Sequence, residues 1–378
     1  MVDAVTVGRF VLGVVGLILG ARLLVQGASR LAATIGISPL VIGLTVVAFG
    51  TGSPELAVTL RAAWSGDPGA ADIGVGNVVG SNIANILLVL GVSAVLTPLV
   101  VRRRLVGWDV PVMIVASGLL LVLGWDGTIS RLDGAIMFGG ILIYTVASIL
   151  QGRRATARER AAAASDIRAE GLPAVPASGA GQVLLQFVLI AVGLVILVVG
   201  ADQLVAAART IASALGVSEL VIGLTVVAVG TSLPEAATSI IAGLRGERDI
   251  ALGNAVGSNL FNILAVLGLA GLVTPEGLPV SAQARSFDIP VMIAVAVACL
   301  PVVFTGARIT RWEGLLFVLY YAAYTAFLYL RSEQHALLTP FNAVMLAFVL
   351  PLTVLGLGLT VLGALRSRRQ AGPSGGQG

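Results

Sequence analysis

Apolar residues run along this chain in long blocks separated by short polar connectors, with no alternation of the kind a half-buried strand shows. A helix that crosses the hydrocarbon core of a bilayer needs roughly 20 mainly apolar residues. Eleven stretches satisfy that length: 8–27, 38–63, 72–97, 107–125, 131–150, 182–204, 218–243, 249–274, 287–305, 312–331 and 341–365. The widest polar interval, 151–181, carries Arg153, Arg154, Arg158, Arg160 and Arg168; it is too short for a soluble domain and reads as a cytoplasmic linker. The first stretch has the length of a signal peptide but not its flanks. Asp3 and a lone Arg9 make a poor basic start, and no small-residue cleavage site follows, so it reads as a retained helix. The tail beyond Arg369 is rich in Gly, Ser and Gln and reads as disordered.

Composition sharpens this picture. The chain is 57% hydrophobic and 11% charged, whereas a soluble domain is about a quarter charged. The expected class is an all-α integral membrane protein in the lipid bilayer. All 23 basic residues are arginines. With the N-terminus outside, sixteen of the 23 fall in cytoplasmic connectors and six in external ones, so the positive-inside rule favours N-out, C-in. The net charge of +4 therefore reflects topology and not a nucleic-acid surface. The single Cys299 excludes a disulfide framework or a cysteine metal cluster, and the single His335 lies in a polar connector. All-arginine usage points to a GC-rich genome and, with no targeting feature, to a prokaryotic plasma membrane.

The chain repeats itself. Val41–Ala48 recurs identically at Val221–Ala228; the run Gly50–Glu55 (Gly-Thr-Gly-Ser-Pro-Glu) answers Gly230–Glu235 (Gly-Thr-Ser-Leu-Pro-Glu); Gly76–Asn85 answers Gly253–Asn262. Weaker echoes follow in order, Asp109–Ile114 with Asp288–Ile293 and Arg131–Gly134 with Arg311–Gly314. The halves, 1–150 and 182–331, thus each hold five helices. Five is odd, so the second half enters from the opposite side. That predicts an inverted-topology repeat, the architecture of many secondary transporters, with an extra helix in 332–378.

The repeated motifs carry the chemistry. Glu55 and Glu235 lie deep in their apolar segments, where a carboxylate is costly and functional by default. No arginine falls at comparable depth, Arg22 being the nearest, so the pair asks for a cation. Pro54 and Pro234 remove a backbone donor; the helix ladder should open around Gly50–Thr51 and Gly230–Thr231 and turn carbonyl oxygens toward a cavity. Asn77, Ser81 and Asn85 recur every four residues on one helix face, as do Asn254, Ser258 and Asn262. Amide and hydroxyl oxygens beside two carboxylates suit Ca²⁺, with Na⁺ equally oxygen-seeking; transition metals would call for imidazole or thiolate. Asn82 and Asn259, off this face, read as interhelical hydrogen-bonding residues. Gly76, Gly80, Gly253 and Gly257 read as close-packing positions. Asp109, Asp288, Asp133 and Glu313 read as helix-start acids suited to the dipole. Tyr320, Tyr321 and Tyr324 read as packing or interfacial aromatics.

Paired motifs of this form in two inverted halves resemble the sodium/calcium exchanger family of the cation/Ca²⁺ antiporter superfamily, over about residues 8–331. The resemblance implies a ten-helix core in which the second, third, seventh and eighth segments form the ion site, while the first and sixth slide across it. It implies acidic ligands at Glu55 and Glu235, carbonyl ligands at Ala48, Thr51, Ala228 and Thr231, hydroxyl ligands at Ser81, Ser232 and Ser258, and amide ligands at Asn85 and Asn262. It implies Ca²⁺ and Na⁺ as transported ions, with no cofactor. Two departures stand out. Gly52 replaces the family's Ser, with Ser53 one place later, which opens the coupling ion to H⁺ or K⁺. The eleventh segment lies outside the ten-helix core and is a candidate homodimer contact.

The expected activity is Ca²⁺ antiport against a monovalent cation. Two glutamates supply −2, which one Ca²⁺ or two monovalent cations would neutralise; protons compete for the same oxygens. An enzyme reading rests on Ser53 in a Gly-x-Ser element, but such a nucleophile needs a base within reach, and the chain has one distant His and no Lys. A passive channel would line its pore with rings from several subunits, which two single glutamates in one chain do not provide.

Overall fold

The computed structural model describes residues 3–64, 68–170, 180–217, 222, 226, 228–300, 308–351, 354 and 358. Its main elements are helices: α1 (Ala4–Ile35), the pair α2 (Pro39–Thr51) and α3 (Ser53–Trp64), α4 (Gly74–Leu96), α5 (Leu105–Leu123), α6 (Arg131–Glu170), α7 (Ala180–Ala214), α8 (Ala228–Thr231), α9 (Leu233–Leu244), α10 (Arg248–Val273), α11 (Ile289–Val297), α12 (Arg311–Ser332) and α13 (Leu338–Ala347). Seven helices among the described residues are long and apolar enough to cross a membrane, or eight if the bent pair α2–α3 counts as one span. The expected segments 218–243, 287–305 and 341–365 each run partly outside the described residues. In the interval 151–181, α6 continues to Glu170. Its run of Ala and Arg is strongly helix-forming, and that intrinsic preference carries the helix past the last apolar turn.

The ends of these elements follow from local chemistry. Asp3 caps α1, accepting from the Thr6 N–H at 2.8 Å and its hydroxyl at 2.6 Å, which also holds the Asp3 carboxyl below its ordinary range. Gly36 ends α1 in the left-handed region at φ 72°, a conformation that favours glycine. Ser38 and Pro39 then open α2 as N-cap and N1. Asp133 and Glu313 sit in matching first turns, bonded to Ser130 and Thr310, as their dipole reading requires.

Burial separates a centre from a rim. In the most apolar windows of α10 and α4, 83% and 78% of residues are buried, against 28% for α1 and for α7. The rim helices keep broad exposed apolar faces, such as Phe10, Val11 and Val15 on α1. In an integral membrane protein such faces meet lipid and need no protein partner. α1 and α7 pack backbone to backbone through glycines. A Cβ on Gly16 would lie 2.9 Å from Gly200 Cα, one on Gly20 2.5 Å from Leu197 N, and one on Gly193 2.6 Å from Leu24 N. Small residues that allow such approach are how helices associate where lipid is as apolar as the side chains.

Two short antiparallel ladders join the halves. β1 (Leu99–Val100) pairs with β4 (Arg308–Ile309), and β2 (Thr128–Ile129) pairs with β3 (Leu278–Pro279). In the repeat, β1 corresponds to β3 and β2 to β4, so each ladder is the image of the other.

Gly193→Val places a side chain against backbone that cannot yield. The expected loss is about 1–3 kcal/mol, read as a lower unfolding temperature in detergent. Gly139→Ala, where a Cβ meets nothing within 4 Å, should unfold like the wild type.

Candidate functional site

The two motif copies meet at the centre of the bundle. The helix breaks once in each half at equivalent residues with nearly the same backbone, Gly52 (φ −78°, ψ 3°) and Ser232 (φ −87°, ψ 4°), and the first break bends α2 from α3 by 46°. Both lie two residues before the motif proline, one residue later than the expected opening at Gly50–Thr51 and Gly230–Thr231. The carbonyls are not simply released. Gly52 N–H still bonds to Ala48 O at 3.0 Å. The Gly50 carbonyl, which Pro54 cannot bond, accepts from the Ser53 hydroxyl at 2.7 Å. That contact gives Ser53 a backbone-capping role and no base.

Glu55, Glu235, Thr51, Ser258 and Asn262 have no exposed surface, and Ser81, Asn85 and Ser232 keep 2% or less. Thr231 is half-buried beside them. The hydroxyls come together across the halves in two matching contacts, Thr51 Oγ1 to Ser258 Oγ at 3.5 Å and Thr231 Oγ1 to Ser81 Oγ at 3.4 Å. Ser81 also donates to Glu55 Oε1 at 3.3 Å. Ser81 thereby links Glu55 to Thr231, four residues before Glu235. Ala48 opens the last turn of α2 and Ala228 opens α8, each three residues before its threonine.

Of the two expected polar faces, Ser81 and Asn85, and Ser258 and Asn262, reach this centre. Asn254 does not present free oxygen: its amide donates to Glu235 O at 3.2 Å and Ser239 Oγ at 3.0 Å, and its oxygen accepts from Thr51 at 3.1 Å. It ties α2, α9 and α10 together. Asn82 and Asn259 do bond between helices, and to each other.

The electrostatic character of the centre follows from which atoms lack partners. Glu55 Oε2, both oxygens of Glu235, Asn85 Oδ1, Asn262 Oδ1 and Ser232 Oγ are all buried without a hydrogen-bond partner. Five of these six atoms can only accept. The ion pairs within 4 Å among the described residues, Arg102–Asp249 and Arg104–Asp109, involve neither glutamate. Buried unpaired acceptors are expensive, and a hard cation is the group that relieves such a set at once. Among the described residues no three His, Cys, Asp or Glu side chains cluster; the oxygen set is two carboxylates and neutral groups.

Several features were not visible in the sequence. Gly52 is small for a packing reason: a Cβ there would lie 2.8 Å from Phe261 Cδ1, and Phe261 stacks edge-on with Phe49 at 4.8 Å between centroids. In the other half Ala84 stands where Phe261 does, and Ser232 where Gly52 does. Gly253 and Gly257 are close-packing positions, with a Cβ 2.7 Å from Leu40 O and from Leu44 Cα. Among the described residues a Cβ on Gly76 or Gly80 meets nothing within 4 Å. Asp109 corrects the helix-start reading. α5 begins four residues earlier in a π-helical turn, Leu105–Asp109, which carries Asp109 into the interior. There it is fully buried and accepts from Tyr144 Oη at 2.9 Å, with Arg104 Nε 3.9 Å away.

Apolar helices that meet around buried carboxylates, with broken helices at the centre, are the construction of a secondary transporter. The family described as sodium/calcium exchanger protein matches the chain over residues 5–150 and 185–330, and the chain belongs to it. It is 40% identical to a putative antiporter, CaxA, of Alkalimonas amylolytica over 320 residues, covering 84% of this chain and 96% of that one. It is 34% identical to the sodium/calcium exchanger MaX1 of Methanosarcina acetivorans, over 84% of this chain and 97% of that one. The solved sodium/calcium exchanger of Methanococcus jannaschii superposes with a TM-score of 0.71 at 32% identity, over 86% of this chain and 99% of that one.

Tyr144→Phe leaves the Asp109 oxygen without its donor. The expected cost is about 1–3 kcal/mol, measured as a lower unfolding temperature in detergent against Tyr329→Phe, whose side chain is partly exposed.

Proposed function

We propose that this protein exchanges Ca²⁺ for Na⁺ across the membrane by alternating access, binding both ions between Glu55 and Glu235 near the midplane. The observation that carries this reading is the set of buried, unpartnered acceptor oxygens around two carboxylates with no basic partner among the described residues. The ligands are those glutamates, Asn85 and Asn262, the hydroxyls of Ser81, Ser258, Thr51, Thr231 and Ser232, and carbonyls of Ala48, Thr51, Ala228 and Thr231. The ten-helix inverted repeat is supported by the image-related ladders, the equivalent breaks at Gly52 and Ser232, and the matched hydroxyl contacts. The arginine distribution supports N-out, C-in insertion in a prokaryotic plasma membrane.

The mechanism follows from charge and packing. One Ca²⁺ or two monovalent cations neutralise the two glutamates. The unloaded pair, bare in low dielectric, resists passing through the closed intermediate, and this couples the two fluxes. Moving more than two Na⁺ per Ca²⁺ carries net charge and responds to voltage. Glycine contact joins α1 and α7 into a close pair that can move as a unit across the centre. A second reading keeps the fold and couples Ca²⁺ to H⁺ or K⁺. The Phe261 ring at the place of a hydroxyl beside Gly52 favours it.

In liposomes, ⁴⁵Ca²⁺ uptake should follow an outward Na⁺ gradient, and Glu55→Gln or Glu235→Gln should abolish it while the protein still inserts. Wild-type rates in either variant would sink the assignment, and uptake driven only by H⁺ or K⁺ would establish the second reading. Gly52→Ser, which requires the Phe261 ring to move, should steepen the Na⁺ dependence; an unchanged dependence would make the hydroxyl irrelevant to coupling.

A further inference from the structure

At the centre of the bundle, α4 and α10 cross through four asparagines. Asn82 Nδ2 donates to the Asn259 carbonyl at 3.4 Å, and Asn259 Nδ2 donates to the Asn82 carbonyl at 3.1 Å. The same two amides also reach sulfur, Asn82 to Met292 Sδ at 3.5 Å and Asn259 to Met113 Sδ at 3.6 Å. Each of these side chains therefore has its two N–H groups engaged and its oxygen turned away. Those oxygens accept from the other two asparagines: Asn85 Nδ2 donates to Asn259 Oδ1 at 3.0 Å, and Asn262 Nδ2 donates to Asn82 Oδ1 at 3.1 Å. Asn85 and Asn262 are left with buried oxygens that have no partner.

A carboxamide is nearly symmetric in shape and opposite in function at its two ends. Rotated by half a turn, Asn85 or Asn262 would present N–H donors where its unpartnered oxygen now stands and repel a cation. An anchored oxygen can only accept, so it selects the amino end of its neighbour and sends the carbonyl end the other way. The geometry points to Asn82 and Asn259 as positioning residues that hold the Asn85 and Asn262 oxygens toward the ion, each acting on the ligand of the opposite half. This rests on the ion site proposed above. Asn259, in the second half, orients Asn85 in the first; Asn82 orients Asn262. Both oxygens are presented only while α4 and α10 keep their register. The anchors extend to Met113 on α5 and Met292 on α11, which touch neither ligand in this network.

The crossed wiring makes an unusual demand on mutant cycles. In the purified full-length protein, equilibrium ⁴⁵Ca²⁺ binding should weaken by ~10–100-fold in Asn259→Leu, the range for partners that orient metal ligands. Asn85→Ala should weaken it similarly. The double variant Asn259→Leu/Asn85→Ala should bind no worse than the weaker single variant, because both remove the same oxygen. Asn259→Leu/Asn262→Ala should show the two losses multiplied. A general packing role for Asn259 would multiply equally with both ligands, and that result, or unchanged affinity in Asn259→Leu, overturns the proposal. Met113→Leu, which removes only the sulfur acceptor at similar volume, gives the same cycle with smaller shifts where Asn259→Leu does not fold. Glu55→Gln is measured alongside. If it binds Ca²⁺ like the wild type, the ion site itself is wrong; if it loses binding while the cycles are uniform, only the positioning role falls.

Discussion

Everything at the centre of this protein answers to one constraint: two carboxylates are buried in a membrane-spanning bundle with no base beside them among the described residues. Low dielectric makes an unpaired buried charge far costlier than a surface one. The chain does not answer it with an arginine, which would cancel the charge permanently. It surrounds Glu55 and Glu235 with hydroxyls and amide oxygens and leaves five acceptor atoms unpaired. The helix breaks at Gly52 and Ser232, the four-asparagine crossing and the dense burial of α4 and α10 all serve to hold that set in place.

The two halves answer this constraint in the same way but not identically. Thr51–Ser258 and Thr231–Ser81 are matching contacts, whereas Gly52 meets the Phe261 ring and the equivalent positions of the other half hold Ser232 and Ala84. Where Gly52 has no side chain the ring of Phe261 takes the space, and Ser232 keeps its hydroxyl where Ala84 stands at the repeat position of Phe261. One side of the site is therefore lined by an aromatic ring and the other by a buried hydroxyl. Ser53 adds to this asymmetry by capping the carbonyl that Pro54 frees, a service that Leu233 in the second half cannot perform.

Rigidity and mobility are distributed accordingly. The asparagine crossing and Asn254 bind the central helices through directed hydrogen bonds, which tolerate little displacement. α1 and α7 hold to each other through glycine backbone and a hydrogen bond from Gln186 to the Thr34 hydroxyl at 3.1 Å. Toward the rest of the bundle, Ser29 donates to Glu247 at 2.6 Å and Arg245 to the Arg22 carbonyl at 3.4 Å. Both of those bonds reach the connector after α9 and not the oxygen set. The hydrogen bonds that hold this pair to its neighbours are therefore separate from those that hold the centre.

Much of this was legible in the residues alone. The membrane class follows from composition, since bilayer solvent imposes long apolar helices. The repeat is written twice in nearly the same letters. Glu55, Glu235 and the proline breaks stand out because a carboxylate or an opened helix ladder at membrane depth is too costly to persist without a partner such as an ion. What periodicity could not supply was partnership. Asn82 and Asn259 were visible as interhelical residues, but not as each other's partners. Asn254 shares the helical spacing of Asn262, yet its oxygen is spent on Thr51. Asp109 reads locally as a helix-start acid, but α5 begins a turn earlier and buries it against Tyr144. Gly52 reads locally as a missing hydroxyl, but Phe261 fills the space a side chain would take. In each case the deciding neighbour lies far along the chain. Local sequence determines which oxygens are available, while only the crossing of helices from the two halves decides which of them are hydrogen-bonded and which are left buried without a partner.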